Sequence, residues 1–118
     1  MIKLFNNHPV VIDRHLAAVL GLNEAIVLQQ VHYWLEMNRK RKRNYHKGRY
    51  WTYNTMKKWQ KEFPFWSIET VKRTFKRLKD ANLIITNNFI IYQMDRNLWY
   101  TINYEELEKL YLYKTPHK

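Results

Sequence analysis

"SIETVKRTFKRLKDANLI", residues 67–84, decides how this chain is read. Its spacing predicts a helix over Ser67–Ala81. The Ser67 hydroxyl is placed to cap the first turn, and Asn82 suits a left-handed stop. At 100° per residue, Ile68, Val71, Phe75 and Leu78 fall within one arc of about 80°, the stripe that must face a core. Glu69, Arg73, Lys76 and Arg77 point the other way, with Lys72 and Thr70 on the two flanks. Such a basic side fits both a solvated face and a surface shaped for a DNA groove. The rest of the chain has to choose.

Working backwards, Pro64 cannot continue a preceding helix, so "PFW" (64–66) reads as a tight turn. Asn54 is expected to cap a helix over Thr55–Phe63 with Met56, Trp59 and Phe63 facing inward. "YWTY" (50–53) is β-prone. "RKRKRNYHKGR" (39–49) reads as a loop. Asn23 is expected to cap a helix reaching about Asn38, buried along Val27, Leu28, Val31, Trp34 and Leu35. Before it, Asp13 caps a short helix over Arg14–Leu20, stopped by Gly21. A strand is expected at Ile2–Phe5.

Working forwards, "LIIT" (83–86) and "LWYTI" (98–102) read as strands. "NNFIIYQMDRN" between them is a long loop or a hairpin turning at Asn87–Asn88. A last amphipathic helix spans Tyr104–Tyr111. The expected fold class is therefore mainly α with a small antiparallel β-sheet, α+β. Its order of elements is that of a winged helix-turn-helix. The chain is read as a single domain, 1–118, with a basic loop at 39–49, the helix-turn-helix at 54–81 and the wing at 83–102.

Charge supports the groove reading. The 118 residues carry a net +11, and residues 39–79 alone hold 15 basic and 2 acidic side chains. Such gathering is what a polyanion-binding surface requires. Cysteine is absent, which removes disulfides and thiolate chemistry and suits a cytoplasmic protein. No membrane span or signal peptide is expected. Two glycines leave no phosphate-cradling loop, and the five histidines never take a zinc-site spacing. The basic third contains only Glu62 and Glu69 as carboxylates for a catalytic metal. The expectation is a binding protein, not an enzyme, with no metal and no cofactor.

"WTYNTMKKWQKEFPFWSIETVKRTFKRLKDANLI", followed by "DRNLWYTINYEEL" and preceded by "GLNEAIVLQQVHYWLE", resembles the amino-terminal winged-helix domain of phage and plasmid replication proteins. These are the replisome-organiser and DnaD-like proteins of Gram-positive hosts. The resemblance spans roughly residues 9–107. Its most specific part is Trp59, Phe63-Pro64-Phe65-Trp66-Ser67, Thr70-Val71, Arg73 and Leu78. It implies DNA binding during initiation of replication, homo-oligomerisation and contacts with host replication proteins.

Roles follow from groove chemistry. Arg73 is the candidate base reader, because arginine grips guanine O6/N7 in bidentate fashion. Lys72, Lys76 and Arg77 are candidate phosphate clamps, helped by Ser67 and Thr70. Glu69 either accepts from a cytosine or complements the helix dipole. Arg39, Lys40, Arg41, Lys42, Arg43 and Lys47 are candidate secondary DNA contacts, and solvated loop or electrostatic lure both remain open for them. They enter the first strand at the end of the sheet remote from the wing. Arg96 either pairs with Asp95 to shape the wing or reaches a minor groove from it as a secondary contact. Trp51, Trp59, Trp66, Phe63 and Phe65 are either stacking platforms or core. The expected partner is double-stranded DNA, with single-stranded DNA as the alternative. Phe89, Ile90, Ile91 and Tyr92 are candidates for a protein interface if the chain acts as an assembly scaffold. A transcriptional regulator on the same scaffold is a further reading.

Overall fold

The structure is a computed structural model describing residues 9–88 and 98–113. The expected strand at Ile2–Phe5 and the candidates Phe89, Ile90, Ile91, Tyr92 and Arg96 lie outside those residues.

Helix α1 (Arg14–Leu20) begins where the Asp13 carboxylate accepts the Leu16 N–H at 3.0 Å, as expected of a cap. It stops at Gly21, and α2 (Leu22–Arg41) starts at once. Gly21 has φ +110, which lets the chain turn between the helices without a capping side chain. Asn23 is therefore inside the first turn and not its cap. At the other end α2 runs three residues past Asn38. Arg39, Lys40 and Arg41 are good helix formers, and their charge complements the carbonyl end of the helix.

The rest of the expected loop is also ordered backbone. Lys42 takes the left-handed position after α2, with Arg43 N–H bonded to Asn38 O. Strands β1 (Tyr45–His46) and β2 (Arg49–Tyr50) then form a hairpin. Its turn is Lys47–Gly48, both at positive φ, the geometry whose twist matches paired strands. Trp51 interrupts the chain by donating its backbone N–H to Asn44 O and its indole N–H to His46 O.

Strand β3 (Thr52–Asn54) leads to α3 (Met56–Glu62) and α4 (Ile68–Asp80). The cap of α3 is Thr55, because Asn54 is still paired in the sheet opposite Leu98. The cap of α4 is Ser67, as its spacing predicted. The α4 helix ends in a Schellman motif: Leu83 N–H bonds Leu78 O, Asn82 N–H bonds Lys79 O, and Asn82 has φ +61. Strand β4 (Ile84–Asn87), β5 (Leu98–Ile102) and α5 (Tyr104–Tyr113) complete the described chain. The second sheet is antiparallel in the order β3-β5-β4. This is an α+β chain, as expected.

The core joins α2, α3, α4 and this sheet. Val27, Leu28, Val31 and Leu35 meet Trp59, Phe63, Val71, Phe75 and Leu78, with Tyr100 and Ile102 beneath. Trp59 is the aromatic hub, its ring centroid 5.4 Å from Phe75, 5.7 Å from Tyr100 and 6.3 Å from Phe63. Each such large apolar side chain contributes about 1.5–3 kcal/mol when buried. Met56 packs half-buried against the cluster, whereas Ile68, expected in the inward stripe, is only half-buried. Among the described residues no helix is long and apolar enough to cross a membrane.

Candidate nucleic-acid interface

Helix α4 is held from one side only. Val71, Thr74, Phe75 and Leu78 are buried, and Thr74 satisfies its hydroxyl by donating to Thr70 O at 2.8 Å. The opposite side leaves Glu69, Lys72, Arg73, Lys76, Arg77 and Lys79 exposed. The core stripe therefore fixes the orientation in which the cations meet solvent.

Those cations differ in their neighbours. Lys76 pairs with Asp80 at 2.9 Å, an exposed i, i+4 pair worth a few tenths of a kcal/mol. Arg77 reaches Glu24 in the first turn of α2 at 3.3 Å. Lys72, Arg73 and Lys79 form no ion pair among the described residues. Arg73 makes one long contact, 3.5 Å, to the Thr70 hydroxyl. Ser67 and Thr70 are engaged with each other, Oγ to Oγ1 at 3.2 Å, besides the capping bond. Their first duty is thus to begin the helix. Glu69 stands exposed in the first turn, where a carboxylate complements the helix dipole.

A groove of about 340 Å³ separates α4 from β4 and β5, lined by Lys72, Lys76, Lys79, Thr86 and Leu98 among others. The three lysines recur at i, i+4 and i+7 along the sheet-facing flank. Arg73 and Arg77 lie on the outer and far flanks. Lys79 was not among the expected contacts, although its place on the Lys72 side of the wheel was readable.

A second basic region forms where α2 ends. Arg39 is held by Glu36, Nη2 to Oε2 at 2.7 Å, which keeps the Glu36 carboxyl below the ordinary range. Arg49 donates to Ile102 O and to Glu105. Lys40, Arg41, Lys42 and Arg43 are exposed and form no ion pair among the described residues. Lys47 is exposed in the hairpin turn. Thr52 pairs with Tyr100 and Asn54 with Leu98, so β3 starts at the end of the sheet away from Leu98. Folding of Arg43 and Asn44 nevertheless brings them to one cavity with Tyr53, Asn54 and Glu62, at the end of α3.

Sequence reasoning missed the part played by Glu62. Its Oε1 accepts Gln30 Nε2 at 2.6 Å and Trp34 Nε1 at 2.7 Å, and its Oε2 accepts Asn54 Nδ2 at 3.3 Å. One carboxylate thereby ties α2, β3 and α3 together through neutral donors. No spacing rule reports this, because the partners are 8 to 32 residues apart. Of the aromatic candidates, Trp51, Trp59 and Phe63 are core, Trp66 is half-buried, and Phe65 is exposed.

The residues described thus form an α+β chain carrying two basic surfaces on different elements. Comparison with protein-family models, curated proteins and solved structures finds no match to this chain.

Proposed function

We propose that the chain is a winged helix-turn-helix domain that binds double-stranded DNA through α4, in the initiation of phage or plasmid replication. The observation that carries the DNA-binding reading is the one-sided helix. Its inner stripe is core, while Lys72, Arg73 and Lys79 are exposed and free of ion pairs among the described residues. The order β3, α3, α4, β4, β5 and the antiparallel pairing β3-β5-β4 support the winged-helix assignment. The replication setting rests on the sequence resemblance.

In this reading α4 enters the major groove amino-terminal end first, with Arg73 on base edges. Lys72, Lys76 and Lys79 grip phosphates from the sheet side, and Arg77 from the other. Asp80 holds Lys76 until a phosphate replaces it. Fluorescence anisotropy with a mixed-sequence duplex over a salt series tests this. About six phosphate contacts give a slope of log K against log[salt] near −5. A flat salt response, or full retention of binding by Arg73→Glu, Lys76→Glu, rejects α4 as the DNA-binding face.

A further inference from the structure

We infer that the end of α2 and the β1–β2 hairpin form a separate site for a single-stranded polynucleotide. Three features meet there. Lys40, Arg41, Lys42 and Arg43 are four exposed cations in consecutive positions with no ion pair among the described residues. Their charge is thus not spent within the fold, unlike that of Arg39 and Arg49, which are held by Glu36 and Glu105.

Flat aromatic surface lies beside them. Tyr53, 50% exposed, and half-buried Trp34 line the same cavity as Arg43, while Tyr45, 57% exposed, rests edge-on against Tyr50 in the hairpin. A duplex keeps its base faces stacked, so such rings serve a strand whose bases are open. The third feature is a cavity of about 340 Å³ lined by Trp34, Asn38, Arg43, Asn44, Tyr53 and Glu62, among others. It has room for a nucleobase. The Arg43 and Asn44 side chains make no hydrogen bond among the described residues, which leaves a cationic donor and an amide available to a base edge or phosphate. Glu62 contributes acceptor oxygens at the back of the cavity, already oriented by Gln30, Trp34 and Asn54.

The arrangement is a base-sized cleft lined by the Trp34 and Tyr53 rings, with Arg43, the last cation of the run, in its wall. Four consecutive cations wrap around the end of a helix and through a left-handed residue, Lys42. They follow a flexible backbone better than the straight flank of a duplex. The site does not depend on α4.

Anisotropy with a labelled oligodeoxyuridylate, a labelled oligouridylate and a mixed-sequence duplex tests the assignment on the full chain. Lys40→Glu, Arg43→Glu is expected to weaken strand binding about tenfold or more and to leave duplex binding within about twofold. Tyr53→Ala is expected to weaken strand binding at least about fivefold without changing the salt slope. Tyr53 is half-exposed but its ring packs 4.8 Å from buried Trp99, so thermal melts of each variant check folding, and Lys40→Glu, Arg43→Glu tests the site without touching that contact. Preference between the two oligonucleotides identifies the sugar. The inference is overturned if neither oligonucleotide binds, if strand binding survives Lys40→Glu, Arg43→Glu, or if strand and duplex binding fall together. Strand binding lost in that variant with no duplex binding by the wild type would uphold this site while removing the α4 proposal.

Discussion

Helix α4 and the end of α2 carry similar numbers of cations and reach that state by different routes. On α4 the charges alternate with core residues at helical spacing, so Phe75 and Leu78 fix where Lys72 and Arg73 point. At the end of α2 the charges are consecutive. Buried Asn38 is the last anchor of α2, held through Nδ2 to Trp51 O at 2.7 Å, and residues 39–43 beyond it are exposed. A rigid, one-sided display suits a regular groove. A run of cations beside exposed rings suits an irregular strand.

The sharpest way to break the contrast is to damage the support of α4. Phe75→Ala removes a ring buried between Trp59 and Tyr100 and is expected to cost about 3–5 kcal/mol in urea unfolding. Lys40→Ala on α2 should stay within about 0.5 kcal/mol. Similar losses from both would mean that α4 is not the supported element.

The same core has a signature at high pH. Burial pushes the Tyr100 phenol up to about 12, whereas in the unfolded chain it ionises near 10. The contribution is intact below pH 10 and is lost as pH rises through 12, because the unfolded state gives up its proton first. The loss amounts to about 2–3 kcal/mol. Burial pushes the Tyr104 phenol up to about 12 as well, so Tyr100→Phe should remove about half of the alkaline loss, and an unchanged profile would contradict the assignment.

Binding sharpens the comparison next. Arg73→Ala is expected to cost about 1–3 kcal/mol on a preferred duplex and less on random duplex. Equal losses on both would make Arg73 a phosphate contact. Ser67→Ala removes the α4 cap and should cost about 1 kcal/mol of stability, read by thermal melting. The smallest effect is that of Asp80→Asn. It should change stability by less than about 0.5 kcal/mol while releasing Lys76 and tightening duplex binding slightly. Weaker duplex binding by this variant would place Lys76 outside the interface.

Much of this was legible from local pattern. The caps Asp13 and Ser67, the left-handed Asn82, and the strand Leu98–Ile102 stand where the residues put them. Each depends on neighbours within a few positions. The misreadings cluster where a backbone conformation outvoted a side-chain preference. Gly21 made a cap at Asn23 unnecessary, and sheet pairing kept Asn54 from capping α3. In the basic run, charge masked structure. Helix-forming Arg39–Arg41 extended α2, and Lys47–Gly48, within the stretch 39–49 that reads as a loop, closed a hairpin.

What the amino-acid sequence determined by itself was the α4 face, because periodicity sorts side chains into buried and exposed wherever helix and core agree. It also determined that positive charge gathers between residues 39 and 79. Only the tertiary structure decided which of those charges are already paired, as Arg77 is with Glu24, across 53 residues of sequence. It alone joined Trp34, Arg43, Tyr53 and Glu62 around one cavity. Local pattern records spacing along the chain, whereas pairing and enclosure depend on elements that meet only after α2, the hairpin and α3 have packed together.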